Sequence, residues 1–261
     1  MTTRRPPVGL AITALGAVAV VTVPLVALVL RTPWSDLGPA IASPEVLQAL
    51  AISAVGSFGA LAVSLLLGVP LAWVLARVEF PGRSVVRALV TLPMVLPPVV
   101  GGVALLFAFG RRGLVGQYLS AVPGFPTPFS TGAVVLAEAF VAMPFLVLTA
   151  EAGLRQMDPR YEEAAASLGA GPWRRFRTIT LPLVAPSLAA GAALCWARAL
   201  GEFGATITFA GNLPGRTQTL PTAIYVLLET RPERAVTVSL LLLGVSLAVL
   251  VGLRGRWLGG R

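Results

Sequence analysis

Charge is scarce in this sequence, and its few ionisable groups bound the chemistry open to it. The 261 residues carry 20 basic and 11 acidic side chains, and every basic one is arginine, with no lysine and no histidine. Without lysine there is no phosphate-binding P-loop, so ATP hydrolysis by that route is excluded. Without histidine there is no histidine-based triad and no histidine-rich metal site. Cys195 is the one cysteine, which excludes an intrachain disulfide and reads as a small packing residue inside a helix. The acids are scattered rather than gathered into a catalytic set, so neither an enzyme nor a cofactor is expected. Two groupings remain. Arg198 and Glu202 stand four apart inside an apolar run and so share one helix face. Glu163, Ala164 and Ala165 are followed by Gly169 and then by Ile179, Leu181 and Pro182 between two apolar runs.

The elements that must position these residues are membrane helices. The chain is 56% hydrophobic and 12% charged, and apolar stretches of about 20 residues recur along it. The expected fold is all-α: one polytopic domain over 1–261 with six spans near 8–30, 48–76, 88–109, 131–152, 186–209 and 235–253. The first run is longer than a signal-peptide core and is read as a retained helix, although Ala40-Ile41-Ala42 resembles a cleavage site. Pro93, Pro97 and Pro98 prevent a regular helix at the start of the third span, either as an ordinary kink or as broken backbone that is buried or lines a cavity. Glu138 in the fourth span is expected to reach the outer interface.

The net charge of +9 would suit nucleic acid, but the arginines sit in loops beside spans, where positive charge sets topology. No nucleic-acid partner is expected; the lipid bilayer is. With both termini inside, the inside set is Arg4, Arg5, Arg77, Arg83, Arg87, Arg155, Arg160, Arg174, Arg175, Arg177, Arg254, Arg256 and Arg261. The outside set is only Arg31, Arg111, Arg112, Arg216, Arg231 and Arg234. That bias puts the loop at 153–185 in the cytoplasm.

That loop has clear punctuation. Asp158 can cap a helix with Pro159 at its first position and Glu162 and Glu163 in its first turn. The run AAASL propagates it and Gly169 stops it. Gly171-Pro172 starts a second short helix, WRRFRTITL, which Pro182 is expected to close. Two adjacent alanines let another backbone approach closely, and a glycine turn sets the angle of the second helix.

Glu163-Ala164-Ala165, Gly169 and Ile179-x-Leu181-Pro182 fill every signature position of the EAA loop of ABC importer permeases, which this stretch resembles. In that family the loop is the coupling helix that docks on a separate ATPase subunit. A second resemblance narrows the cargo. ARALGEFGATITFAGN at 197–212 is similar to the fifth helix of permeases for tetrahedral oxyanions, molybdate and sulfate alike. PGRTQTLPTAIY at 214–225 and LPPVVGGVALLFAFGRRGLVG at 96–116 resemble the molybdate branch. The resemblance implies a permease in the bacterial cytoplasmic membrane and a homodimer of this chain. It also implies two ABC ATPase subunits and an extracytoplasmic oxyanion-binding protein. Sulfate or thiosulfate, and tungstate, remain the alternative cargoes.

The intramembrane pair then acquires a context. If the fifth span begins near Pro186, Arg198 lies about 18 Å along it, past the middle of a hydrocarbon core about 30 Å thick. A charge there is costly unless paired or wet. Either the pair borders the translocation path, or Arg198 and Glu202 neutralise each other and hold the outer half of the path in shape. The second reading is favoured, and it leaves Thr206 and Thr208 to offer neutral hydroxyls to an anion.

Overall fold

The computed structural model describes residues 7–257, except Ser120 and Pro123. Among these no strand occurs, and five helices are long and apolar enough to cross a membrane, or six if one bent pair counts as a span. Arg4, Arg5 and Arg261 of the topology reading lie outside the described residues.

Helix α1 (Val8–Arg31) buries none of its residues and touches the rest of the chain mainly through α13 (Pro232–Trp257). The stretch between it and the next long helix, residues 32–43, is largely helical. A 3-10 turn at Trp34–Asp36 and α2 (Leu37–Ile41) fill most of it. Helix α3 then runs from Pro44 to Arg77. Its 34 residues rise about 50 Å, more than the hydrocarbon core. The surplus at the outer end is used: Val46 and Ala49 cluster with Leu220, Ala223 and Val238 of α12 (Leu220–Thr230) and α13. Ser53 Oγ accepts the Leu220 N–H at 2.7 Å.

The core is α3 against α7 (Thr131–Gln156). A Cβ on Gly56 would meet Glu138 and Val134, and one on Gly68 would meet Val147 and Met143. Both registers rise together, so the two helices are parallel. Helix α10 (Leu181–Leu200) runs against α7 in the opposite sense, with Ser187 beside Gly153 and Gly191 beside Leu146 and Thr149. Small residues make these approaches possible where lipid supplies no hydrophobic drive between helices.

The third span is broken. Helices α4 (Arg83–Val95) and α5 (Pro98–Phe109) meet at a bend of 119°. Leu96 and Pro97 are extended there, as a residue preceding proline prefers. Each half packs at its own depth. Arg87 of α4 reaches Glu151 near the inner end of α7, and Leu105 of α5 packs with Ala133, Ala137 and Val141 near the outer end. A short α6 (Gly116–Leu119) follows on the outer side.

The fifth span is also broken, where a continuous helix over 186–209 is expected. Helix α10 stops at Leu200, residues 201–203 are irregular, and α11 (Gly204–Phe209) resumes. The two broken spans fit each other. A Cβ on Gly102 of α5 would lie 2.6 Å from Thr208 Cβ and 2.9 Å from the Ala205 carbonyl. One on Gly204 would lie 2.8 Å from Pro98 Cβ. Interrupted backbone at membrane depth is thus buried against interrupted backbone, the condition under which it is tolerated.

Candidate functional site

The cytoplasmic loop carries the first site. Asp158 Oδ1 accepts the Arg160 N–H at 2.9 Å and starts α8 (Arg160–Ser167). Gly169 ends it at φ +82°. The Gly169 N–H donates to the Ala166 carbonyl and the Ala170 N–H to the Ala165 carbonyl, which satisfies the last turn in the manner of a Schellman cap. Nothing lies within 4 Å of where a Gly169 Cβ would be, so the residue is needed for its conformation and not for space. Glu163, Ala164 and Gly169 face outward, as do Tyr161 and a nearly bare Leu168, 89% exposed. Ala165 does not: it is turned into the chain.

The second half departs from expectation. Pro182 does not close a helix. The helical path continues from α9 (Pro172–Arg175) through a π turn at Phe176–Thr180 into α10, as one body from Pro172 to Leu200. A proline ring inside an α-helix would strike the carbonyl four residues back. The widened turn just before Leu181 relieves that clash. Leu181 and Pro182 are exposed and Ile179 is half-buried.

Glu162 has a contact that the spacing did not reveal. Its Oε2 forms an ion pair with Arg77 Nε at 3.4 Å, and its Oε1 accepts a hydrogen bond from Thr180 Oγ1. Both acids of the first turn look alike in sequence, and only the helix orientation decides that Glu162 points in while Glu163 points out. A second ionic knot lies beside it. Glu151 pairs with Arg87 at 2.6 Å and with Arg155 at 2.9 Å, and Arg83 Nε donates to the Leu75 carbonyl at 2.8 Å. Together these bonds tie α4 to the inner ends of α3 and α7.

The outer half of the molecule holds the second site. Arg198 Nη1 and Glu202 Oε2 are 2.6 Å apart, so the pair forms as expected, although Glu202 lies beyond the end of α10. Its other oxygen accepts the Ala205 N–H at 2.8 Å and caps the start of α11. Glu202 is 1% exposed, whereas the Arg198 side chain keeps 30% of its surface. The hydroxyls are not presented as expected. Thr206 is fully buried, its Oγ1 without a partner among the described residues. Thr208 Oγ1 donates back to the Gly204 carbonyl at 2.7 Å. The break after Leu200 turns this face of α11 onto α5.

Glu138 is a correction too. It does not reach the outer interface: it is 1% exposed, against α3, with Oε2 unpartnered among the described residues. Gly56 makes the room, since a Cβ there would sit 2.9 Å from both carboxylate oxygens. No local pattern could have placed Glu138, because its neighbour lies far back in the chain.

Comparison with known proteins agrees with this architecture. Residues 68–259 match the family described as binding-protein-dependent transport system inner membrane component. The chain is 46% identical over 245 residues to the molybdenum transport system permease protein ModB of Mycobacterium tuberculosis (strain ATCC 25618 / H37Rv), covering 93% of this chain and 92% of that one. It is 36% identical over 213 residues to the sulfate transport system permease protein CysT of Escherichia coli (strain K12), covering 80% and 76%. Among solved structures, a bacterial ABC transporter involved in the import of the acidic polysaccharide alginate superposes with a TM-score of 0.73 at 20% identity, over 96% of this chain and 93% of that one. With its helical membrane architecture and a matched region spanning both candidate sites, this chain belongs to the family of inner membrane components of binding-protein-dependent transport systems.

Proposed function

We propose that this chain is the permease subunit of an ATP-driven importer that moves molybdate from an external binding protein into the cytoplasm. The observation that carries the reading is the 46% identity to a molybdenum permease over nearly the whole of both chains, against 36% to a sulfate permease over less of each. The chain is a transport component and not an enzyme, so ATP is hydrolysed in a separate subunit. That subunit docks on the loop that carries Glu163, Ala164, Ala165, Gly169, Ile179, Leu181 and Pro182. The exposed Glu163, Ala164 and Leu168 support this docking face. Two copies of the chain enclose the path between them, since six helices wall it on one side only. Arg198 and Glu202 hold the outer half of that wall. Of Thr206 and Thr208, the second is the path residue of this reading, through a hydroxyl that must leave the Gly204 carbonyl to donate to an oxyanion.

The test is uptake into proteoliposomes holding the permease, its ATPase and the binding protein. ATP-dependent accumulation of radioactive molybdate, resisted by excess sulfate, is the expected result. Accumulation of sulfate in preference would favour the sulfate reading, and equal competition by tungstate would leave the two heavier oxyanions as joint cargo.

A further inference from the structure

Helix α8 has eight residues and one buried side chain, Ala165. A helix that short is marginal by itself, and its linkers at 157–159 and 168–171 are brief. Something must fix its direction relative to the spans if a push on its free face is to reach them. Glu162 makes that attachment. Its two oxygens engage two different elements, Arg77 at the last position of α3 and Thr180 at the last position of the π turn. Arg77 and Glu162 keep only 15% and 20% of their side-chain surface, and Thr180 is fully buried. The Arg77 contact is an ion pair at 3.4 Å rather than an aligned hydrogen bond. Partial burial makes both interactions stronger than a surface pair would be.

We propose that Glu162 is a positioning residue for energy coupling, clamping the docking helix at once to the end of α3 and to the π turn that leads into α10. Glu163, its neighbour, stays free for the partner subunit. A displacement of α8 is then passed to α3 through Arg77 and to α10 through Thr180. The widened turn is the point where α10 can change direction, because its hydrogen-bond ladder is already interrupted there. Helix α10 carries Arg198 at its outer end, so one carboxylate links the docking surface to the helix that shapes the path.

This inference rests on the transport reading above, and the experiment separates the two. The reconstituted complex of permease, ATPase and binding protein reports molybdate uptake and ATP hydrolysis in one sample. Wild-type uptake driven by ATP comes first, and its failure would overturn the transport reading before any variant is made. Glu162→Gln and Arg77→Gln are each expected to retain the ATPase on co-purification and to lower anion imported per ATP hydrolysed about tenfold, between the effect of losing an exposed ion pair and that of breaking a buried one. Thr180→Val shifts the ratio the same way and Thr180→Ser restores it. Exchanging the charges, Arg77→Glu with Glu162→Arg, recovers a ratio that either single change loses. An unchanged ratio in Glu162→Gln overturns the proposal. Loss of the ATPase from that variant also overturns it, since Glu162 would then be a docking contact. Losses that multiply in the Arg77→Gln, Glu162→Gln double variant overturn it as well, because independent residues behave that way. If Glu162→Gln does not fold, equal ratios for Thr180→Val and Thr180→Ser decide against the clamp.

Discussion

Glu202 does two jobs at once, pairing with Arg198 through one oxygen and capping α11 through the other. Glu202→Leu removes both and leaves a guanidinium without its partner. The expected cost is about 3 kcal/mol, the low end for a broken buried pair because Arg198 remains partly exposed. Thermal unfolding followed by fluorescence-detected size exclusion measures it. Glu202→Gln keeps an acceptor for the Ala205 N–H and should lose less. Arg198→Met combined with Glu202→Gln should recover most of the folded yield, since no charge is then stranded. If that double variant is abundant and assembled yet dead for uptake, the pair acts on the anion and its structural role is secondary.

Two elements depend on glycine for different reasons, and the difference is measurable. Gly102 lets α5 sit against the backbone of α11, and a methyl group there would press on the Ala205 carbonyl at 2.9 Å. Gly102→Ala should destabilise the detergent-solubilised chain by about 1–3 kcal/mol, the usual cost of overpacking. Gly38→Ala in α2 meets nothing within 4 Å and should be neutral in the same assay. Equal effects of the two would remove the case for a close α5–α11 contact. Gly169 has open space but a left-handed backbone, so Gly169→Val imposes a conformational penalty of about 1–2 kcal/mol confined to the loop. Its expected signature is ATP hydrolysis without uptake, with an unfolding temperature close to that of the unaltered protein. Normal uptake by that variant would count against the loop as the coupling device.

For the whole molecule, parallel packing of α3 on α7 and antiparallel packing of α10 require the chain to cross between them through the broken α4–α5 pair. That arrangement, with the arginine bias, puts Trp34 and Leu213 outside and Leu168 in the cytoplasm. Cysteines placed singly at these exposed positions test it with a membrane-impermeant thiol reagent. Positions 34 and 213 should react on intact cells and 168 only after permeabilisation. Cys195 is fully buried and gives no background. Reaction at 168 from outside would invert the assignment. The proposed homodimer makes a separate prediction: cross-linking in native membranes should trap pairs of this chain, and exclusively monomeric product would rule against a shared path.

Much of this protein is written in short-range pattern. Apolar runs long enough to span, arginines clustered beside them, the proline-rich break before α5 and the Glu163–Gly169–Pro182 spacing are each local signals. Hydrophobic thickness, positive charge beside spans and backbone φ act on a few neighbouring residues, so these features are legible without the fold. What the tertiary structure decided is which groups face each other across helices. The burial of Glu138 depends on Gly56, the inward turn of Glu162 on Arg77 and Thr180, and the burial of Thr206 and the local bond of Thr208 on the break after Leu200. Pro182 stands inside a continuous helix because a π turn precedes it, an adjustment the local sequence does not advertise. In each case the deciding partner is distant in the chain or in the backbone geometry. Helix register in a membrane is set by where small side chains let large or charged ones approach, and that complementarity exists only once the helices have packed.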